Sequence, residues 1–273
     1  MKIFRDPIAL QQELKGLQSS IGFVPTMGAL HLGHRTLIEE ARRRNGTVVV
    51  SIFVNPTQFL EGEDLESYPR NEEADRRICE LSGVDYLFYP SAERMYGQDD
   101  VYVGAPDVRG YVLEGASRAG HFDGVLTVVL KLFHIVTPTH AYFGKKDAQQ
   151  LALIKQMVQD FFLHVNIVAV DTVRESDGLA LSSRNLYLSD AERHEALKIS
   201  YALKRATTMI AQGIRDTAVI TREMHKIMGS LEVEYIAFVD NEFHELPQVE
   251  IDNTIILIAA KVGTTRLIDN IQL

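Results

Sequence analysis

The sequence predicts an α/β fold: a parallel sheet with covering helices over about the first two thirds of the chain, then a smaller α+β unit. Three observations lead there. Short apolar runs alternate with amphipathic stretches of helical length as far as residue 173, which is the signature of repeated βαβ units. The run at 47–54, TVVVSIFV, is β-branched and almost wholly apolar, as a central parallel strand covered on both faces should be. After Asn185 the order changes to two helices followed by three strand-like runs.

In chain order, 21–25 (IGFVP) reads as a buried strand and 34–44 (HRTLIEEARRR) as a helix with Leu37, Ile38 and Ala41 on one face. A strand at 47–54, a helix at 71–82 and a strand at 84–89 follow. Next come a long apolar-faced helix at 121–136 that stops before Pro138, a strand at 140–143, a helix at 148–162 and a strand at 165–173. The second part reads as helices at 190–212 and 216–231, then strands at 234–239, 254–262 and 266–271. The domain boundary falls near residue 175, giving domains 1–175 and 176–273. The segment 174–185 (RESDGLALSSRN) lies at that junction, a common place for a ligand site.

The bulk properties bound the function. A chain of 273 residues is long for one core and comfortable for two. It is 46% hydrophobic and 24% charged, an ordinary globular balance. A formal net charge of −9 argues against a duplex-binding surface, which needs clustered Lys and Arg. The one cysteine, Cys79, can form neither an intramolecular disulfide nor a Cys-based zinc site. The first 16 residues carry charges throughout, without a signal-peptide core. No apolar run approaches the ~20 residues that span a bilayer. A soluble, cytoplasmic protein with no nucleic-acid or membrane partner is expected.

The sharpest local feature is PTMGALHLGH at 25–34, between the first strand and the first helix. His31 and His34 are three apart and face the same way on a helical turn. The helix start supplies unpaired N–H groups and a positive dipole end, which favour an anion. Two imidazoles there can bond phosphate oxygens; the plainer alternative is a capped helix start with two surface histidines. The loop is neither GxGxxG nor a P-loop. NPTQF at 55–59, GKKD at 144–147 and LSSR at 181–184 follow. Two hydroxyls beside a guanidinium make a compact phosphate grip. The remaining histidines form no metal-ligand cluster in the sequence.

HLGH is similar to the HxGH signature of the nucleotidylyltransferase superfamily, and the longer string resembles that of the pantothenate synthetases. So do SIFVNPTQF at 51–59, Tyr68-Pro69-Arg70, GHFDGVLTVVLK at 120–131, FGKKDAQQL at 143–151, DGLALSSRN at 177–185 and, in the C-terminal third, RLIDN at 266–270. The resemblance implies a Rossmann-like N-terminal domain and a smaller α+β lid domain. It implies ATP-dependent condensation of (R)-pantoate with β-alanine through a pantoyl-adenylate, in the biosynthesis of pantothenate. ATP comes as a co-substrate with Mg²⁺ held largely by phosphates and water; no protein metal site and no tightly bound organic cofactor are expected. A homodimer is implied.

Residue by residue, the resemblance implies that ATP is bound by Met27, Gly28, Ala29, Leu30, His31, Leu32, Gly33 and His34. Gly144, Lys145, Lys146 and Asp147, Val173 at the adenine, and Leu181, Ser182, Ser183 and Arg184 at the triphosphate complete that set. His34, His31 and Lys146 are the implied catalytic residues, Gln58 and Gln150 hold pantoate, Gln58 also meets β-alanine, and Arg118 reaches phosphate less directly. An amide suits this task, because a carboxylate held by neutral donors stays nucleophilic. The chain departs from the family in having Lys145 where Glu is usual, Ala148 where an aromatic is usual and Ala119 where Pro is frequent. The rival readings are a superfamily member that transfers AMP or CMP to a phosphorylated acceptor, a class I aminoacyl-tRNA synthetase and a non-catalytic nucleotide-binding module. The glutamine pair, the acidic short chain without KMSKS, and the intact HxGH argue against them in turn.

Overall fold

A computed structural model describes all residues, Met1–Leu273. The chain divides into two compact units. The first comprises Met1–Lys145 and Gln149–Asp171; the second comprises Lys146–Ala148 and Thr172–Leu273.

The first unit is built on six parallel strands: β1 (Lys2–Phe4), β2 (Ile21–Thr26), β3 (Thr47–Ile52), β4 (Tyr86–Phe88), β5 (His140–Gly144) and β6 (Asn166–Val170). Their order is β1-β4-β3-β2-β5-β6, so the winding reverses between β2 and β5. Helices α1 (Pro7–Leu14), α2 (Leu32–Arg44), α3 (Glu72–Leu81), α6 (His121–Val136) and α7 (Ala148–Asp160) connect them, with short turns α4 (Ala92–Met95) and α5 (Glu114–Ser117). The period-two alternation of strand side chains sorts the core into two layers. Phe23, Val49, Phe88, Ala141 and Phe143 pack with α1, α6 and α7. Val24, Val48, Val50, Leu87 and Tyr142 pack with Leu37, Ile38 and Ala41 of α2 and Cys79 of α3. Helices therefore cover both faces, which is why β3 is buried along its whole length.

The second unit pairs α8 (Asp190–Ala211) and α9 (Thr217–Met228) with an antiparallel sheet of β7 (Glu232–Val239), β8 (Ile255–Val262) and β9 (Thr265–Gln272) in that order. Ser189 and Glu192 form a reciprocal capping box at the start of α8, and Asp216 caps α9. Leu203, Ala206 and Ile210 of α8, Ile220 and Met224 of α9, and Ile256 and Ile258 of β8 share one core.

Several boundaries differ from the sequence reading for identifiable reasons. The first predicted helix starts two residues early, at Leu32, because His31 is its N-cap. The strand expected to reach Val173 ends at Val170; the Val173 carbonyl instead accepts from Leu181 N–H in a local turn. The pair β1 and α1 was not anticipated, although Asp6 before Pro7 is a complete N-cap signal: the Asp6 carboxylate accepts from Ala9 N–H.

Candidate active site

The loop after β2 lies beside the reversal point of the sheet, where α/β folds gather ligands. Gly28 takes φ +92°, and Ala29 takes φ +50°, a left-handed value unusual for a residue with a Cβ. A Cβ on Gly28 would sit 3.0 Å from both Asp75 Oδ2 and Ile52 Cγ2. The turn is held by Asp75 of α3, whose carboxylate accepts from Ala29 N–H at 3.0 Å and Leu30 N–H at 2.7 Å. Asp75 is buried; that burial raises its pKa, and the two N–H donors oppose the rise.

His31 and His34 cap α2 reciprocally. His31 Nδ1 accepts from Gly33 N–H at 3.1 Å, and His34 Nδ1 accepts from His31 N–H at 3.3 Å. The rings lie 4.1 Å apart, centroid to centroid. An Nδ1 that accepts must be unprotonated, so in each neutral ring the proton sits on Nε2. Both rings thus present an N–H donor at a helix N-terminus. Of the N–H groups along this turn, those of Ala29 and Leu30 donate to Asp75, that of His31 to His34 and that of Gly33 to His31.

Gln58 closes the 3₁₀ turn Pro56–Gln58 after β3 and is buried. Asn55 fixes its amide, donating from Nδ2 to Gln58 Oε1 at 3.0 Å and to the Gly124 carbonyl at 3.1 Å. Tyr96 in turn donates to Asn55 Oδ1 at 2.7 Å. Gln58 Nε2 then meets only a soft acceptor here, Met27 Sδ at 3.2 Å, a weak partner that an oxygen acceptor would outcompete. Close packing requires Gly124 on α6, since a Cβ there would come within 2.3 Å of the Thr57 carbonyl oxygen.

His121 fastens the backbone of this turn. Its Nδ1–H donates to the Gln58 carbonyl at 2.7 Å, and its Nε2 accepts from Arg118 Nη1 at 3.1 Å. Arg118 is also paired with Glu63 through two bonds, of 2.6 and 2.7 Å. Burial disfavours the Glu63 carboxylate, yet the Arg118 bonds outweigh it and the pKa ends below the usual value. Burial, reinforced by the Arg118 cation, pushes the His121 pKa from 6.5 down to about 4. An unfolded chain therefore takes up a proton below pH 6.5 that the folded chain refuses until about pH 4. Stability present above pH 6.5 should be lost as pH falls through this window, by up to about 3 kcal/mol. His121→Asn, which keeps a donor for the carbonyl, should remove that loss. Urea unfolding of both proteins from pH 7 to pH 4 checks it; a constant difference between them would contradict the assignment.

Around Gly144, the end of β5, the two lysines part company. Lys145 N–H donates to the Val170 carbonyl, and its ammonium pairs with Asp171 at 2.6 Å, both within the first unit. Lys146 belongs to the second unit, with Nζ 3.3 Å from Asp147 Oδ1. Of the two adjacent glutamines on α7, Gln149 is structural: it is buried, donates to the Arg109 and Val112 carbonyls and accepts from Glu114 N–H. Gln150 is half-buried.

In the second unit Arg174 bridges to Ala180 across a turn. Leu181 follows, and Ser182 Oγ accepts from Arg184 N–H to cap the 3₁₀ turn Ser183–Tyr187. The sequence-derived site residues thus form two groups. Met27 to His34, Gln58, Arg118, Gly144, Lys145 and Gln150 lie in the first unit; Lys146, Asp147, Val173 and Leu181 to Arg184 lie in the second. No group of three or more His, Cys, Asp or Glu side chains is placed to hold a metal ion, and no helix is long and apolar enough to cross a membrane.

The sequence pattern of the Pantoate-beta-alanine ligase family matches residues 2–272. The chain belongs to this family. A pantothenate synthetase of Sulfurimonas denitrificans is 58% identical over 273 residues, covering all of both chains. The crystal structure of pantothenate synthetase from Thermus thermophilus superposes with a TM-score of 0.95 at 41% identity, covering 100% of this chain and 99% of that one. Pantoate-beta-alanine ligase from Francisella tularensis, solved in complex with beta-gamma ATP and beta-alanine, superposes with a TM-score of 0.83 at 37% identity, covering 100% of this chain and 97% of that one. The Rossmann-like parallel sheet and small α+β unit are therefore the ligase family's own architecture. Sequence reasoning about the ligase passed over Asp75, and it quoted Asn55 and His121 only as members of the NPTQF and GHFDGVLTVVLK strings, without their part in holding these loops. Asp75 left a signal of its own: an acid sharing the apolar helix face with Ile78 and Cys79.

Proposed function

We infer that the chain condenses pantoate with β-alanine at the expense of ATP. The single observation that carries the mechanism is the His31–His34 cap, which fixes two imidazoles at a helix start after β2 with the proton of each neutral ring on Nε2. A pantoate carboxylate oxygen attacks the α-phosphorus; the bond to the bridging oxygen breaks and pyrophosphate leaves. The free amine of β-alanine then attacks the acyl carbon, loses a proton, and AMP departs. Catalysis is positioning plus charge stabilisation.

In this reading Met27 to His34, Gly144 to Asp147, Val173 and Leu181 to Arg184 take ATP, with His34, His31 and Lys146 acting on the reacting phosphates. Gln58 and Gln150 take pantoate, and Gln58 also meets β-alanine. For Arg118 to reach phosphate, its Glu63 pair must yield, so we give it the lesser role. The donor set consists of Lys, Arg and His N–H groups and Ser O–H groups. It suits phosphate oxygens, and Mg²⁺ enters as part of the nucleotide substrate. Residues 1–175 form the ATP- and pantoate-binding domain and 176–273 the lid. We further place the enzyme in the cytoplasm, which the single Cys79, buried and in no disulfide, fits, and take it as a homodimer on the family resemblance alone.

ATP–pyrophosphate exchange should require pantoate and proceed without β-alanine. Exchange indifferent to pantoate, or AMP release seen only with a nucleic acid, would sink this reading.

A further inference from the structure

The RLIDN segment resembles the family's and lies on β9, and none of its residues has been given a role above. Asn270 is buried, and its Nδ2 donates to the Lys146 carbonyl at 2.7 Å across 124 residues of sequence. The strand that carries it is locked, with Asn270 opposite Leu257 in an unbroken antiparallel ladder. Its neighbour Asp269, also buried, accepts from Arg174 in two bonds of 2.6 and 2.9 Å. Arg174 donates as well to the carbonyls of Asn270 and Gly178. It bridges Ala180, the residue before Leu181, Ser182, Ser183 and Arg184. Two adjacent residues of one strand therefore grip the backbone of the lysine segment and the base of the serine–arginine turn.

We propose that Asn270 is a positioning residue for Lys146, holding its backbone in register with the Ser182–Ser183–Arg184 turn that Asp269 anchors through Arg174. The inference rests on the reading that Lys146 acts on the ATP phosphates. The physical need is plain. A lysine is a point charge on a flexible stem, so its placement is only as good as that of its backbone. Misplacement of a reacting group by about 1 Å can cost ~10²-fold. No local element holds Lys146: the β5 strand ends at Gly144 and the α7 helix begins at Ala148. The Asn270 amide supplies the missing restraint from the second unit, to which Lys146 belongs.

A double-mutant cycle tests this by ATP–pyrophosphate exchange in the full-length enzyme with pantoate present. Asn270→Ala should slow exchange by about tenfold while pantoate affinity stays unchanged. Combined with Lys146→Ala it should slow exchange no further than Lys146→Ala alone, within about twofold, because a residue acting only through Lys146 has nothing left to position. Asn270→Asp keeps the size and replaces the donor with an oxygen, so it should fall at least as far as Asn270→Ala. Effects that multiply, wild-type exchange by Asn270→Asp, or failure of both variants to fold would each overturn the inference and leave the ligase reading intact. Pantoate-independent exchange by the unmodified enzyme, or a fully active Lys146→Ala variant, would overturn the underlying reading instead.

Discussion

His34→Ala should slow adenylate formation by about 10²–10³-fold, the usual cost of losing one transition-state donor, and leave pantoate binding close to that of the unmodified enzyme. The truncation removes the Nε2–H donor and also the Nδ1 acceptor that caps His31 N–H. A lost cap costs roughly 0.5–2 kcal/mol of stability, so the rate must be read beside a melting curve. His34→Asn separates the two roles, since its amide oxygen can still accept from His31 N–H. If Asn restores exchange, the ring serves only as a cap and the proposed role is wrong. Gln58→Ala should behave in the opposite way. Asn55 Nδ2 loses its Gln58 partner in a buried setting, and the ligand loses an amide partner at roughly 1–3 kcal/mol. Pantoate use should weaken at least tenfold, while ATP binding measured by calorimetry without pantoate changes little. A misfolded variant would lose both ligands together. A folded Gln58→Ala protein that loses ATP and keeps pantoate would reverse the assignment of the two subsites.

Much of this site was legible because its chemistry is local in sequence. A parallel strand that ends in a glycine-bearing turn and opens a helix announces itself within ten residues, as PTMGALHLGH does. The alternation of strands and helices, and the switch to helices followed by strands, was legible for the same reason: periodicity is a property of short windows. What stayed hidden was the set of groups holding those turns. Asp75 lies 45 residues from Leu30, His121 lies 63 from Gln58, and Asn270 lies 124 from Lys146. Nothing in a local window records such pairings. Their burial is also invisible, although it is burial that moves the His121 pKa to about 4. The helix at Leu32 began early because an imidazole is not a usual capping side chain; His31 caps here, and His34 returns a bond to the His31 N–H.

The adjacent lysines give the sharpest contrast between sequence and structure. Lys146→Ala should slow ATP–pyrophosphate exchange by about 10²-fold or more, whereas Lys145→Glu should leave substantial activity. In sequence the two are interchangeable cations at the end of β5, and Lys145 is the residue that departs from the family. In the fold they serve different units. Lys145 is committed to Asp171, whose side chain is 88% exposed; a pair so open to water contributes little. Glu at that position would repel Asp171, and both carboxylates can turn towards solvent. Lys146 is only 19% exposed, with its carbonyl fixed by Asn270 and its ammonium near Asp147. Removing it deletes a positive charge from a half-buried setting, where the field it supplies to a phosphate is poorly screened. Pantoate affinity should be untouched by either change. A Lys145→Glu enzyme that loses exchange beside an active Lys146→Ala enzyme would show that Lys145, with its Asp171 pair broken, is the phosphate ligand.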